Sequence, residues 1–268
     1  MPPLQIRFIT FLFFQFCFLA TQSQVLNIDR EVGSDTVLKK WEVVTGISIS
    51  SDKQKKNLID INSNVEVNRN TKNHRVLLGV FRNDAVFSGK NTLQDEGMFH
   101  IRFRDKDFRK FSIEEYIQYQ WNGAWGLRYR YLGGTNLRIR WIEKKHFDFY
   151  SGTGFFREWE KWDWSGVKEN LLPLDAQIRS RKSFRMNNYV KVSAKIAETV
   201  DFTTTSFLQF PLNGNFWQPR WYIEANLYVN AGRHTNFVFH WDHIIDNKKV
   251  VPIESFYYSF STGIQLNF

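Results

Sequence analysis

Two neighbouring stretches of this chain carry charge at alternate positions. In "WGLRYRYLGGTNLRIRW" Arg128, Arg130, Arg138 and Arg140 share one parity, and in "HFDFYSGTGFFREWEKW" so do Tyr150, Gly152, Gly154, Glu158 and Glu160. Upstream, "FSIEEYIQYQW" supplies Tyr116 and Gln118. A period of two places each set on one face of a strand. A hairpin centred on Lys144 sets Arg130 opposite Glu158 and Arg128 opposite Glu160. A turn at Asn122 and Gly123 sets Gln118 beside Arg128 and Tyr116 beside Arg130. Two chemistries suit such a face. One is a structural ladder in which arginine and glutamate neutralise each other and Gln and Tyr complete the hydrogen bonds. The other is a polar constriction that selects small anions or sugars.

Acid–base chemistry has thinner support. His240 shares parity with Asp242 and falls across from Glu224, and His100 stands with Glu114, yet no serine in a nucleophile context accompanies either pair. In "HWDH", His240 and His243 are three apart, so on a strand they point to opposite faces and cannot grip one ion together. The expectation is no enzyme, no catalytic residue, no cofactor and no metal.

The scaffold that must hold these faces is a succession of alternating segments. Trp41, Val43, Thr45, Ile47 and Ile49 share a face, as do Ile59, Ile61, Val65 and Val67, then Phe99, Ile101 and Phe103. The long run from Leu127 to Trp141 keeps its phase through Gly133 and Gly134, which argues for one strand and not a hairpin there. Twelve such segments are readable to the end of the chain, "ESFYYSFSTGIQLNF". The links after the second, fourth, sixth, eighth and tenth segments are tight. Those on the other side include the long "NDAVFSGKNTLQDE", "DWSGVKENLLPLDAQIRSRKS" and "PLNGNFWQ". An even strand number with short turns at one end and long loops at the other predicts an all-β, antiparallel, up-and-down transmembrane barrel. Tyr119, Trp121, Trp125, Trp159 and Trp162 fall at the loop end and Phe111, Trp141, Phe147, Phe149 and Phe268 at the turn end, as two interfacial belts would. A soluble barrel or sandwich with the apolar parity inward is the competing arrangement.

The first residues add a compartment. "MPPLQIRFITFLFFQFCFLATQSQ" places Arg7 before an apolar run too short to span a bilayer, followed by small polar residues. Residues 1–23 are therefore expected to be a signal peptide, 24–35 a periplasmic segment and 36–268 the barrel. The single cysteine, Cys17, leaves with that peptide, and export without disulfides fits a Gram-negative envelope. The whole chain carries a formal net charge of +9, a balance that favours anionic lipid and lipopolysaccharide phosphate over nucleic acid, for which no motif is present. Arg179, Arg181, Lys182 and Arg185, read as part of an outer loop, are the candidates for lipopolysaccharide.

At the other end Phe260, Ile264, Leu266 and Phe268 alternate up to a terminal aromatic. This resembles the signal read by the β-barrel assembly machinery, an expected partner during biogenesis. The middle of the chain, with Gln118 and Gln120, Asn122, Arg128 and Arg130, Gly133 and Gly134, Gly152 and Gly154, and Glu158, resembles the domain of unknown function 481 family, the salt-induced outer-membrane proteins. The resemblance implies an outer-membrane barrel without a named reaction. The expected role is structural or envelope-stress related, with a narrow pore for small solutes or anions as the alternative and a lipid-modifying enzyme as a third.

Overall fold

The computed structural model describes residues 41–53, 57–70, 75–88, 91–105, 110–232 and 234–267. The expected signal peptide, the periplasmic segment and Phe268 lie outside them. Twelve strands follow one another: β1 (Trp41–Lys53), β2 (Asn57–Asn70), β3 (Arg75–Ser88), β4 (Asn91–Asp105), β5 (Phe111–Asn122), β6 (Leu127–Lys144), β7 (Phe147–Trp162), β8 (Arg179–Ala197), β9 (Val200–Pro211), β10 (Arg220–Asn230), β11 (Thr235–Asp246) and β12 (Phe256–Asn267). Each pairs antiparallel with its sequence neighbours, and β1 closes on β12 to complete a barrel.

Burial decides which parity faces inward. Glu114, Arg130, Arg138, Glu158, Arg185 and Arg220 are buried, while Phe99, Ile101, Ile113, Phe155, Trp221 and Phe237 are exposed, Ile117 at 60%. In a soluble protein charged side chains almost never take the interior and leave a continuous apolar band outside. In a membrane barrel that inversion is the rule. The odd positions of β4, β5 and β7 face outward as expected. On β12, Phe256, Tyr258, Phe260, Ile264 and Leu266 are exposed and Ser259 and Gln265 buried.

Several boundaries differ from the sequence reading. The stretch "NDAVFSGKNTLQDE" is no loop: β3 and β4 remain paired to Ser88 and Asn91. The hairpin of β6 and β7 turns at Lys145 and His146 after a bulge between Arg140 and Ile142, so Arg130 faces Glu160 and Leu132 faces Glu158. The expected register is thus displaced by two. A short 3-10 turn, Gly123–Trp125, with Gly126 at φ 75, lengthens the connection before β6. Gln120 therefore meets Arg130, Gln118 meets Leu132, and Tyr116 meets Gly134.

The outer rim of rings is real but smaller than expected. Tyr119 and Tyr131 stand 4.7 Å apart beside Trp121, and His243 and Phe256 4.8 Å apart near Trp221 and Trp241. Trp125 and Trp162, expected in the same belt, turn inward and are buried. With Leu127, Val167, Tyr222, Ile244 and Val251 they form an apolar cluster.

Candidate functional site

β7 projects Glu158 and Glu160 into the lumen from alternate positions, and basic residues of both neighbouring strands meet them. Arg130 of β6 lies 2.5 Å from Glu160 and 3.7 Å from Glu158. From β8, Arg181 reaches Glu160 at 2.6 Å and Arg185 reaches Glu158 at 2.6 Å. Arg220 comes from β10 and binds Glu158 at 3.1 Å and Glu160 at 3.4 Å, while its Nε donates to Asp246 at 2.9 Å. This last residue turns a wall ladder into a strut across the lumen. Both carboxylates are fully enclosed, which ion pairs survive only when several donors share them.

A second node lies toward the turn end. Glu114 of β5 accepts from Arg104 at 2.8 Å and from the Tyr189 hydroxyl at 2.7 Å, with Arg138 at 3.4 Å. The Arg138 guanidinium also stacks 3.8 Å above the Tyr150 ring. Tyr189 belongs to β8 and can lean across because its register partner is Gly152, where a Cβ would stand 2.1 Å from the Tyr189 ring. Gly134 and Gly154 allow a similar approach: a Cβ on either would strike backbone of the adjoining strand. The glycine-rich character of β6 and β7 is thus a packing requirement of the lumen.

Between the nodes, Gln118 donates to Gln120 and its Oε1 accepts from His100 Nδ1 at 3.1 Å, while Asn122, one rung above the upper node, donates to Glu96. A cavity of about 60 Å³ remains there, lined by His100, Arg102, Gln120, Arg130, Asn136 and Arg220 among others. That space suffices for a few ordered waters.

On the opposite wall Tyr222 and Asn226 donate to Glu224 at 3.1 and 2.8 Å, and Asp242 accepts from Ser259 and lies 3.2 Å from His240 Nε2. Serine here bonds the acid and not the imidazole, so the three do not form a nucleophile–base–acid relay. His243 points outward among aromatic rings, on the other face from His240. Among the described residues no group of three or more His, Cys, Asp or Glu is placed to hold a metal.

The loops fold over the outer mouth. Val167 from residues 163–178 and Val251 from residues 247–255 join Trp125, Leu127 and Trp162 above the upper node. Arg181 also donates to the Lys248 carbonyl at 2.5 Å, and Lys168 meets Glu254 at 2.7 Å. Asp163 anchors the first loop. Partial burial raises its pKa, but hydrogen bonds from Ser165 and from Arg128 outweigh this and hold it below the usual range.

Arg128 is consequently not a luminal residue. A bulge between Leu127 and Tyr129 turns its side chain out to the rim, 51% exposed, and sends Leu127 inward. The basic cluster expected at the outer leaflet divides as well: Arg181 and Arg185 lie in β8 and point into the lumen, leaving Arg179 and Lys182 at the exposed rim. Tyr116, Gln118, Arg130, Arg138, Glu158 and Glu160 face the lumen as predicted, and Arg140 does so at the turn end, where it also pairs with Glu143. Arg220, Asp246, Arg104 and Tyr189 complete the two nodes without any sequence motif that marks them. Their inward parity was readable, but their partners on other strands were not.

An even-stranded closed meander, apolar outside and charged inside, is the fold of outer-membrane β-barrels. The translocator domain of the autotransporter NalP from Neisseria meningitidis matches it with a TM-score of 0.50 and 11% identity, over 87% of this chain and 90% of that one. A porin, NanC, aligns over 84% of this chain and 98% of its own at 11% identity and a TM-score of 0.49. The β domain of the Bordetella autotransporter BrkA aligns over 85% and 97% at 5% identity and a TM-score of 0.40. No protein-family model matches the chain, and no curated protein sequence does.

Proposed function

We propose that this is an integral outer-membrane protein with a structural role in the envelope, its lumen occupied by its own side chains, and not an enzyme. One observation carries the reading: Arg220 ties β10 to Glu158 and Glu160 of β7 across the lumen, beneath an apolar roof of inturned loops. A route for solute through this section would have to separate buried ion pairs, each separation leaving charge without a partner. The motif likeness to the domain of unknown function 481 family agrees with a place in the envelope. So does the outward alternation of Phe260, Ile264 and Leu266, suited to handling by the assembly machinery. Contact with lipopolysaccharide phosphate would fall to Arg179 and Lys182.

A narrow pore for small anions is the second reading, favoured by the cavity that Arg102, Arg130 and Arg220 line. Single cysteines in intact membranes separate the two. A lipophilic maleimide should label Ile101→Cys, Ile139→Cys and Phe155→Cys, and a charged aqueous reagent should label Leu174→Cys on the loop but not Gln120→Cys in the lumen. Rapid aqueous labelling at Gln120 would favour the pore, and labelling of Ile139 by the aqueous reagent alone would remove the protein from the bilayer.

A further inference from the structure

The upper node does not balance its own charge. Four guanidinium groups, those of Arg130, Arg181, Arg185 and Arg220, share three carboxylates, those of Glu158, Glu160 and Asp246. Lys249 adds to the surplus: it interacts electrostatically with Asp246, as Arg185 does, and its Nζ makes no hydrogen bond among the described residues. The deficit falls on Arg185. Its Nε donates to Glu158 at 2.6 Å, while Nη1 and Nη2 are buried and have no hydrogen-bond partner among the described residues. Arg185 as a whole is 1% exposed, so bulk water does not serve those donors. Leaving charged donors in that state is costly, and the usual remedies of a pKa shift to neutrality or a rotation into solvent are closed to an enclosed guanidinium.

We propose that Arg185 holds one small monovalent anion, bound by Nη1 and Nη2 and flanked by Ser183 and Arg181. These three residues alternate along β8 and so project from the same face, about 6.8 Å from one to the next. Ser183 is buried between the two arginines on the same face, and its hydroxyl is a donor of the right kind. An anion here would neutralise the surplus charge and satisfy the donors together. Enclosure sets the size: an ion held here must be as small as a halide, because an organic carboxylate or a phosphate ester would require the roof to open. The site stands whether or not the lumen conducts, because it concerns an ion that stays.

Crystals of the full chain grown without chloride and soaked in sodium bromide test the assignment. The expected result is an anomalous peak against Arg185 Nη1 and Nη2, lost in Arg185→Gln. Bromide confined to the protein surface, an adventitious ion only, or no bromide at all would overturn it. Solution unfolding covers the case in which Arg185→Gln does not fold. In denaturant titrations at equal ionic strength, the midpoint should be higher in sodium chloride than in sodium gluconate for the unaltered protein, and Ser183→Val should shrink that difference. Equal midpoints in the two salts for the unaltered protein would count against the site.

Discussion

The wall between β6 and β8 and the seam between β1 and β12 are closed by different means. β7 pairs with each of its neighbours at sixteen positions, and its inward face is further tied by the Arg and Glu contacts. Among the described residues, the pairs across the seam are those of Val44, Thr45 and Gly46 with Asn267, Leu266 and Gln265. Beyond them β1 stays laddered to β2 as far as Lys53, and β12 to β11 as far as Phe256, but not to each other. The inward side chains also differ. Arginine, glutamate and tyrosine fill the lumen at β6 to β8, whereas Ser259, Ser261 and Gly263 stand at β12, with Ser261 exposed. Small side chains there leave room for water beside backbone groups that lack a strand partner, which a bilayer alone would not satisfy. The lesson is that in this barrel luminal charge reinforces the wall where the ladder is already longest.

Mutations should separate the two regions clearly. Glu158→Ala removes the shared partner of Arg130, Arg185 and Arg220 and should cost about 3–5 kcal/mol in urea unfolding. Ser259→Ala, on β12 beside the seam, removes one hydrogen bond to Asp242 of β11 and should cost less, about 1.5–3 kcal/mol. A comparable loss for both would erase the distinction.

Glycines give a second contrast. Gly152→Ala forces the Tyr189 ring away from Glu114 and should destabilise by about 1–3 kcal/mol, whereas among the described residues nothing lies within 4 Å of a Cβ built at Gly263. Gly263→Ala should leave the unfolding midpoint unchanged or slightly raised. Hydrogen exchange in micelles sharpens the contrast without mutation. Seam-facing amides of Ile47–Lys53 and Phe256–Ile264 should exchange well before those of β7. Uniform protection around the barrel would show a fully zipped seam.

The roof adds an effect that depends on pH. Burial lowers the pKa of Lys249 from the ordinary 10.5 to about 8. The folded protein therefore releases this proton more readily than the unfolded chain. Its penalty is complete below pH 8, declines as pH rises toward 10.5, and is absent above that. Lys249→Met should be the more stable protein at pH 7, with the gap closing across that window; a gap independent of pH would show that packing and not charge is responsible.

Strand number and the two faces of each strand were legible because alternation is a local property of each segment; which face turns inward had to be argued from the even strand count, the long loops at one end and the aromatic belts. The unbroken strand through Gly133 and Gly134 is one result of reading phase in this way. Register was less legible, since it depends on turn geometry: the bulge between Arg140 and Ile142 and the turn at Gly123–Trp125 each moved a partner assignment, and the bulge at Leu127 reversed the face of Arg128. Arg181 and Arg185 resembled loop residues because β8 extends above the apolar band, where the outward positions hold Lys182 as well as Phe184 and the alternation fades. Arg220 illustrates the harder limit. Its partners lie 60 and 62 residues away on another wall, and no pattern within β10 points to them.

Planar-bilayer recording tests the central claim, that cross-lumen ion pairs and the roof keep the barrel shut. The purified protein should insert without producing stable unitary conductance at moderate voltage, while Glu158→Ala, by releasing three arginines, should produce flickering, anion-preferring events. Steady open channels from the unaltered protein, with a conductance that Glu158→Ala leaves unchanged, would contradict it.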